Sequence, residues 1–161
     1  MTTVRAVTPN VDAGKLLAGA QFADAFRVEI GAATMNAREA CVRMVLHGPR
    51  WIDALLRLRN ILVRPFGLKT SGEGAPAPHG LIGLFPVLSE TPERLVAGFD
   101  DRHLDFRIVV DVSGNAASRQ VTSTTVVRTH NRLGRAYLTL IMPFHKLVVR
   151  GMMGRITEPA R

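Results

Sequence analysis

Residues 138–156 read LTLIMPFHKLVVRGMMGRI (Leu138–Ile156), and how this stretch is housed decides the fold. Leu138, Ile141, Met142, Val148, Val149, Met152 and Met153 recur at helical spacing and cover more of a helix than one narrow stripe. A helix apolar over most of its circumference needs enclosure, in protein or in lipid. Lipid is a poor host here, because His145, Lys146 and Arg150 sit in mid-segment, where each cation would be costly. Enclosure by protein remains. Pro143 removes one helical hydrogen bond and predicts a bend at that point.

The enclosing elements stand upstream. In His103–Val112, Leu104, Phe106, Ile108 and Val110 alternate with His103, Asp105, Arg107 and Val109, the period of a two-faced strand. Asp100-Asp101-Arg102 turns Glu93–Phe99 into it, and Ser113-Gly114-Asn115 turns it into the threonine- and valine-rich Arg119–His130. Leu81–Leu88 is a further strand, broken by Pro86 and so suited to an edge. An earlier strand, Phe22–Ile30, alternates Phe26, Val28 and Ile30 with Arg27 and Glu29.

Two helices fill the gap. Asn36 and Glu39 form a capping box ahead of Ala37, Ala40, Cys41, Met44 and Val45. Gly48 and Pro49 end that helix and begin another, expected to bury Trp51, Ile52, Leu55, Leu56 and Leu62, with Arg57, Arg59 and Asn60 at the water. Pro65 and Gly67 close it. Thr70–Gly80, with glycines at 72, 74 and 80 and prolines at 76 and 78, is a loop. The sum is an α+β domain over residues 15–158, behind an N-terminal extension of residues 1–14. Its curved antiparallel sheet wraps a long C-terminal helix, with two shorter helices between the first and second strands.

Composition narrows the class. The 161 residues suit one domain with a real core. The single cysteine, Cys41, excludes an intramolecular disulfide and falls on an apolar stripe, as a small core residue would. Met1–Asn10 lacks the apolar core of a secretory signal, so a cytoplasmic protein without a transmembrane segment is expected. The net charge of +8 comes from scattered arginines rather than a dense run, and only 6% of residues are aromatic. Nucleic-acid platforms interleave basic and aromatic residues, so no nucleic-acid partner is expected.

The order of elements resembles the helix-grip fold of START-like and polyketide cyclase-like proteins. More narrowly, the chain resembles the bacterial family called domain of unknown function 2867. The matching pieces include Pro49-Arg50-Trp51 with Leu55-Leu56-Arg57-Leu58-Arg59, Phe66-Gly67-Leu68-Lys69, and the block Asp100–Arg107. Others are His130-Asn131, Gly134-Arg135-Ala136-Tyr137 and Pro143-Phe144-His145; together they span roughly residues 20–155. The resemblance implies an apolar pocket for a lipid, polyketide-like or other small hydrophobic molecule.

Candidate ligand-binding residues are Phe106, Ile108, Val110, Tyr137, Ile141 and His145, with Thr70–Gly80 as a mouth. His145 lies one turn from Ile141 and one turn before Val149, so it points among apolar neighbours. Its alternative is a neutral core histidine bonded to backbone or to a strand threonine. A second cluster, Asp101, His103, Asp105 and Arg107, sets three charged or polar groups on one strand face, as an acid–base or anion-binding row would. The alternative is an outward row that pairs with neighbouring strands, since Leu104, Phe106 and Ile108 need the core. His103, Asp105, His130 and His145 are metal-ligand types without HExxH or cysteine-pair spacing, so no metal and no cofactor are expected. No GxSxG elbow appears, and no catalytic residue is assigned. Ligand binding comes first; a cyclase, dehydratase or isomerase using His145, or His103 with Asp105, is the rival. A homodimeric interaction module is the third option.

Overall fold

The computed structural model describes residues 3–67 and 77–158. Among them, seven strands make one curved antiparallel sheet: β1 (Arg5–Val7), β2 (Phe22–Gly31), β3 (Leu81–Ile82), β4 (Phe85–Glu90), β5 (Arg94–Asp100), β6 (Leu104–Gly114) and β7 (Arg119–Thr129). Their order is β1-β2-β7-β6-β5-β4-β3. The helices are α1 (Ala13–Leu16), α2 (Ala37–Leu46), α3 (Arg50–Val63), which runs into a 3₁₀ turn at Arg64–Phe66, and α4 (Arg132–Gly154). Sequence reading assigned no element to residues 1–14; three of them form the edge strand β1, which pairs with Arg27, Phe26 and Ala25 of β2. The expected Leu81–Leu88 strand is a small hairpin instead, β3 and β4 turning at Gly83-Leu84 with Pro86 opposite Leu81.

Register sorts the side chains into rows, because directly paired residues point to the same face. One face carries Phe22, Val127, Phe106 and Phe99 in a first row and Asp24, Thr125, Ile108 and Ala97 in a second. Phe26, Ser123, Val110 and Leu95 make a third. This is the helix-covered inner face. The outer face holds Arg27, Thr122, Asp111 and Arg94 in one row and Ala25, Thr124, Val109 and Val96 in the next.

α2 sits where the inner face is driest. Asn36 accepts from the Glu39 amide at 2.8 Å, and the Glu39 carboxylate accepts from the Asn36 amide at 3.0 Å, completing the capping box. Ala37, Ala40, Cys41 and Met44 are buried with Val28, Val87, Leu95 and Val110. Burial pushes the Cys41 thiol up to about 12, so it remains a protonated core group at neutral pH.

α4 departs from the enclosed helix that its sequence suggests. It does lie along the sheet, over β2 and β7, but only Gly134, Val149 and Met153 are buried in it. Leu140, Phe144 and Leu147 face out, Leu140 at 68% exposure. The sheet is a single layer on this side, so it covers one flank of α4 and leaves the other bare. Pro143 does not end the helix; it is exposed, so water can serve the Thr139 carbonyl that its missing N–H leaves free. α3 departs further. Ile52 and Val63 are its buried residues, whereas Trp51, Leu56 and Leu62, expected in the core, are 40%, 41% and 57% exposed.

Candidate functional site

Beneath α4 the inner face carries an ion-pairing couple. His145 projects from α4 toward β2, where its Nε2 lies 3.2 Å from Asp24 Oδ1. Alternation places Asp24 on the same side of β2 as Phe22, Phe26 and Val28, and Phe22 meets the imidazole edge-on with centroids 6.4 Å apart. Both side chains are under a fifth exposed, at 18% for His145 and 17% for Asp24. The other carboxylate oxygen, Asp24 Oδ2, is buried without a hydrogen-bond partner. Leaving such an acceptor unserved costs about 1–3 kcal/mol, so a donor that reached it would be welcome. His145 Nδ1 has no partner among the described residues.

The surrounding inner face is mostly apolar, Thr125 and Ser123 being polar members of its rows, and it is incompletely covered. Phe106 stacks edge-on with both Phe99 and Phe85, at centroid distances of 4.6 and 5.8 Å. Phe106, Ile108, Ile141 and Tyr137 are all half-buried, whereas Val110 is fully buried beneath α2. Tyr137 contacts α3: its hydroxyl accepts from Arg59 Nε at 2.8 Å, and the guanidinium lies 5.3 Å from its ring centroid. The couple ties α4 to α3. The Thr70–Gly80 loop, expected as a mouth, lies outside the described residues up to position 76.

The row on β6 goes to the other face. Arg107 pairs with Asp100 at 2.7 Å across to β5, as Arg94 does with Asp111 at 2.6 Å. His103 and Asp105 are buried, at 8% each, and each meets the segment that starts α4. Asp105 Oδ2 lies 2.8 Å from His130 Nε2, and its Oδ1 accepts from the Asp101 amide at 3.1 Å. Asn131 caps α4 by accepting from the Gly134 amide, which leaves its NH₂ to donate to His103 Nδ1 at 2.9 Å. The His103 ring proton therefore belongs on Nε2, which is buried and unpartnered. Gly134 lets the backbones close: a Cβ there would stand 2.1 Å from the His103 carbonyl oxygen. These groups fasten the start of α4 to the start of β6. They share no face with the His145–Asp24 couple.

No three His, Cys, Asp or Glu side chains among the described residues gather in a way that could hold a metal ion. No described helix is long and apolar enough to cross a membrane. A family model described as protein of unknown function, DUF2867, matches residues 16–152. The chain belongs to this family. No curated protein and no solved structure matches it.

Sequence reading missed one residue of these networks and the partner of another. Asp24 was not singled out, although the alternation of Phe22–Ile30 already puts it in phase with Phe26 and Val28. A carboxylate on the apolar phase of a strand is the signal that could have found it. His130 was noted as a ligand type, but its partner Asp105 lies on the neighbouring strand and only register brings the two together.

Proposed function

We propose that this is a helix-grip protein that binds a small, largely apolar molecule between the inner face of the sheet and α4. The ligand carries one hydrogen-bond donor, such as a hydroxyl, directed at Asp24. The order strand, two helices, antiparallel strands and closing helix supports the fold assignment. The observation that carries the function is the Asp24–His145 couple. A carboxylate with one oxygen held by His145 and the other unserved sits among half-buried apolar side chains of its own and the adjacent row, Phe22, Phe106 and Ile108. Such a wall has a polar anchor at one point and apolar contact elsewhere, the usual make-up of a small-molecule site.

The test begins with native mass spectrometry of freshly purified protein, followed by titration with dodecanol watched by amide NMR. A retained small molecule, or shifts centred on Phe22, Asp24, Ile108 and His145, supports ligand binding. Asp24→Asn should weaken dodecanol by about tenfold, because a charged acceptor is replaced by a neutral amide. Absence of a retained molecule together with shifts elsewhere or none would sink the idea. The His145 geometry favours a second reading, an acid–base enzyme of the cyclase, dehydratase or isomerase kind. A carboxylate orients one ring nitrogen and leaves Nδ1 free, as in a general base.

A further inference from the structure

α3 holds more large apolar side chains exposed than buried, and its charge is distributed to match. Ile61 is 70% exposed, Leu62 57%, Leu58 51% and Trp51 40%, and Phe66 in the turn beyond is 58% exposed. These residues share one flank of the helix. Arg50, Arg57 and Arg64 recur every seven residues, which aligns them in a row along the border of that flank, and all three are exposed. None of the three forms an ion pair with a described residue, and Asp53 is the lone acid on the helix. A shallow open depression follows the border, lined by Arg50, Asp53, Ala54, Arg57, Leu58 and Ile61. α4 runs beside α3 in the opposite direction, since Arg59 meets Tyr137 while Trp51 lies against Gly151.

We propose that α3 is a surface-seeking helix that lays this flank on an anionic phospholipid membrane, with Trp51, Leu58, Ile61 and Leu62 in the acyl boundary and Arg50, Arg57 and Arg64 at the phosphates. An apolar stripe bordered by arginines is the pattern of helices that lie in the bilayer interface rather than cross it. A second copy packed antiparallel on this flank would set arginine row against arginine row, with one Asp53 from each side. The chain's charge of +8 acts in the same direction, drawing it to anionic surfaces. Membrane binding through α3 and ligand binding beneath α4 fail separately, because different residues report them.

Trp51 is the only tryptophan, so its emission reports on α3 without labelling. With vesicles of phosphatidylcholine containing about 30% phosphatidylglycerol, the protein should sediment and Trp51 should shift to the blue and resist acrylamide. Pure phosphatidylcholine should bind it far less. Arg57→Gln with Arg64→Gln should weaken partitioning about 20- to 30-fold, at roughly fivefold per arginine, and Ile61→Asp should abolish the blue shift. Both variants alter exposed side chains, and circular dichroism checks their folding. Three results would overturn the proposal. One is equal binding to neutral vesicles; another is sedimentation with Trp51 still open to acrylamide, which is charge attraction to an acidic surface alone. The third is a blue shift that follows protein concentration without lipid, with a dimer lost in Ile61→Asp.

Discussion

Two consecutive helices, α2 and α3, carry similar apolar patterns and meet opposite fates. α2 presents small and flexible residues, Ala37, Ala40, Cys41 and Met44, and all four are buried against the sheet. α3 presents Trp51, Leu58, Ile61 and Leu62, and all four remain exposed. Small side chains let α2 approach the strands closely, and the cluster around Leu95 and Val110 closes over them. α3 buries Ile52 and Val63, neither of them part of that cluster, and its larger residues project the other way. An amphipathic period thus shows that a face wants cover, without saying which molecule supplies it.

The sharpest way to break that contrast is to truncate one residue on each helix. Met44→Ala, at a site 3% exposed, should lower the unfolding free energy in urea by about 2–5 kcal/mol. Ile61→Ala, at 70% exposure, should move it by less than about 0.5 kcal/mol. Comparable losses from both would mean that α3 is as much a part of the core as α2. The helix starts differ too. α2 has a complete capping box, whereas α3 begins at Pro49 without a side-chain cap bond. Asn36→Ala should therefore cost about 1 kcal/mol, read as a lower urea midpoint at unchanged slope. A neutral result would show that the box is decorative and that packing alone holds α2.

What could be read in advance follows the range of the interaction. The alternation of Leu104, Phe106, Ile108 and Val110 is local, but it left open which way the His103, Asp105 and Arg107 row faces; register sets Asp105 and Arg107 on the face opposite Phe106 and Ile108. The Asn36–Glu39 box is local as well. Partners distant in the chain are not: Asp105 meets His130 and Asp24 meets His145 across 25 and 121 positions, distances that only topology closes. The exposed flanks of α3 and α4 escaped for another reason. Periodicity marked Leu62 and Leu138 alike as apolar-face residues, but a single-layer sheet covers just one flank of the helices laid on it. β1 was too short, at three residues, to leave a periodic trace.

The smallest effect concerns the tie between α2 and the sheet. Arg38 of α2 grips Glu90 of β4 with two bonds, at 2.8 and 2.7 Å, and also donates to the His79 carbonyl. The Arg38 bond holds the Glu90 carboxyl below its ordinary value of 4.5 and raises Arg38 in return. The folded pKa of Glu90 is thus lower than the unfolded one, so folding favours the ionised form. The stabilisation is complete above about pH 4.5 and is lost as the pH falls through the folded value. Glu90→Gln should flatten the acid limb of a stability–pH curve measured by urea denaturation, leaving a smaller deficit at neutral pH than Asn36→Ala produces. Arg57→Gln on α3, where no described acid is paired, should leave that limb unchanged. If Arg57→Gln flattened it as much as Glu90→Gln, charge on α3 would be coupled to the fold, and the two helices would differ less than their packing implies.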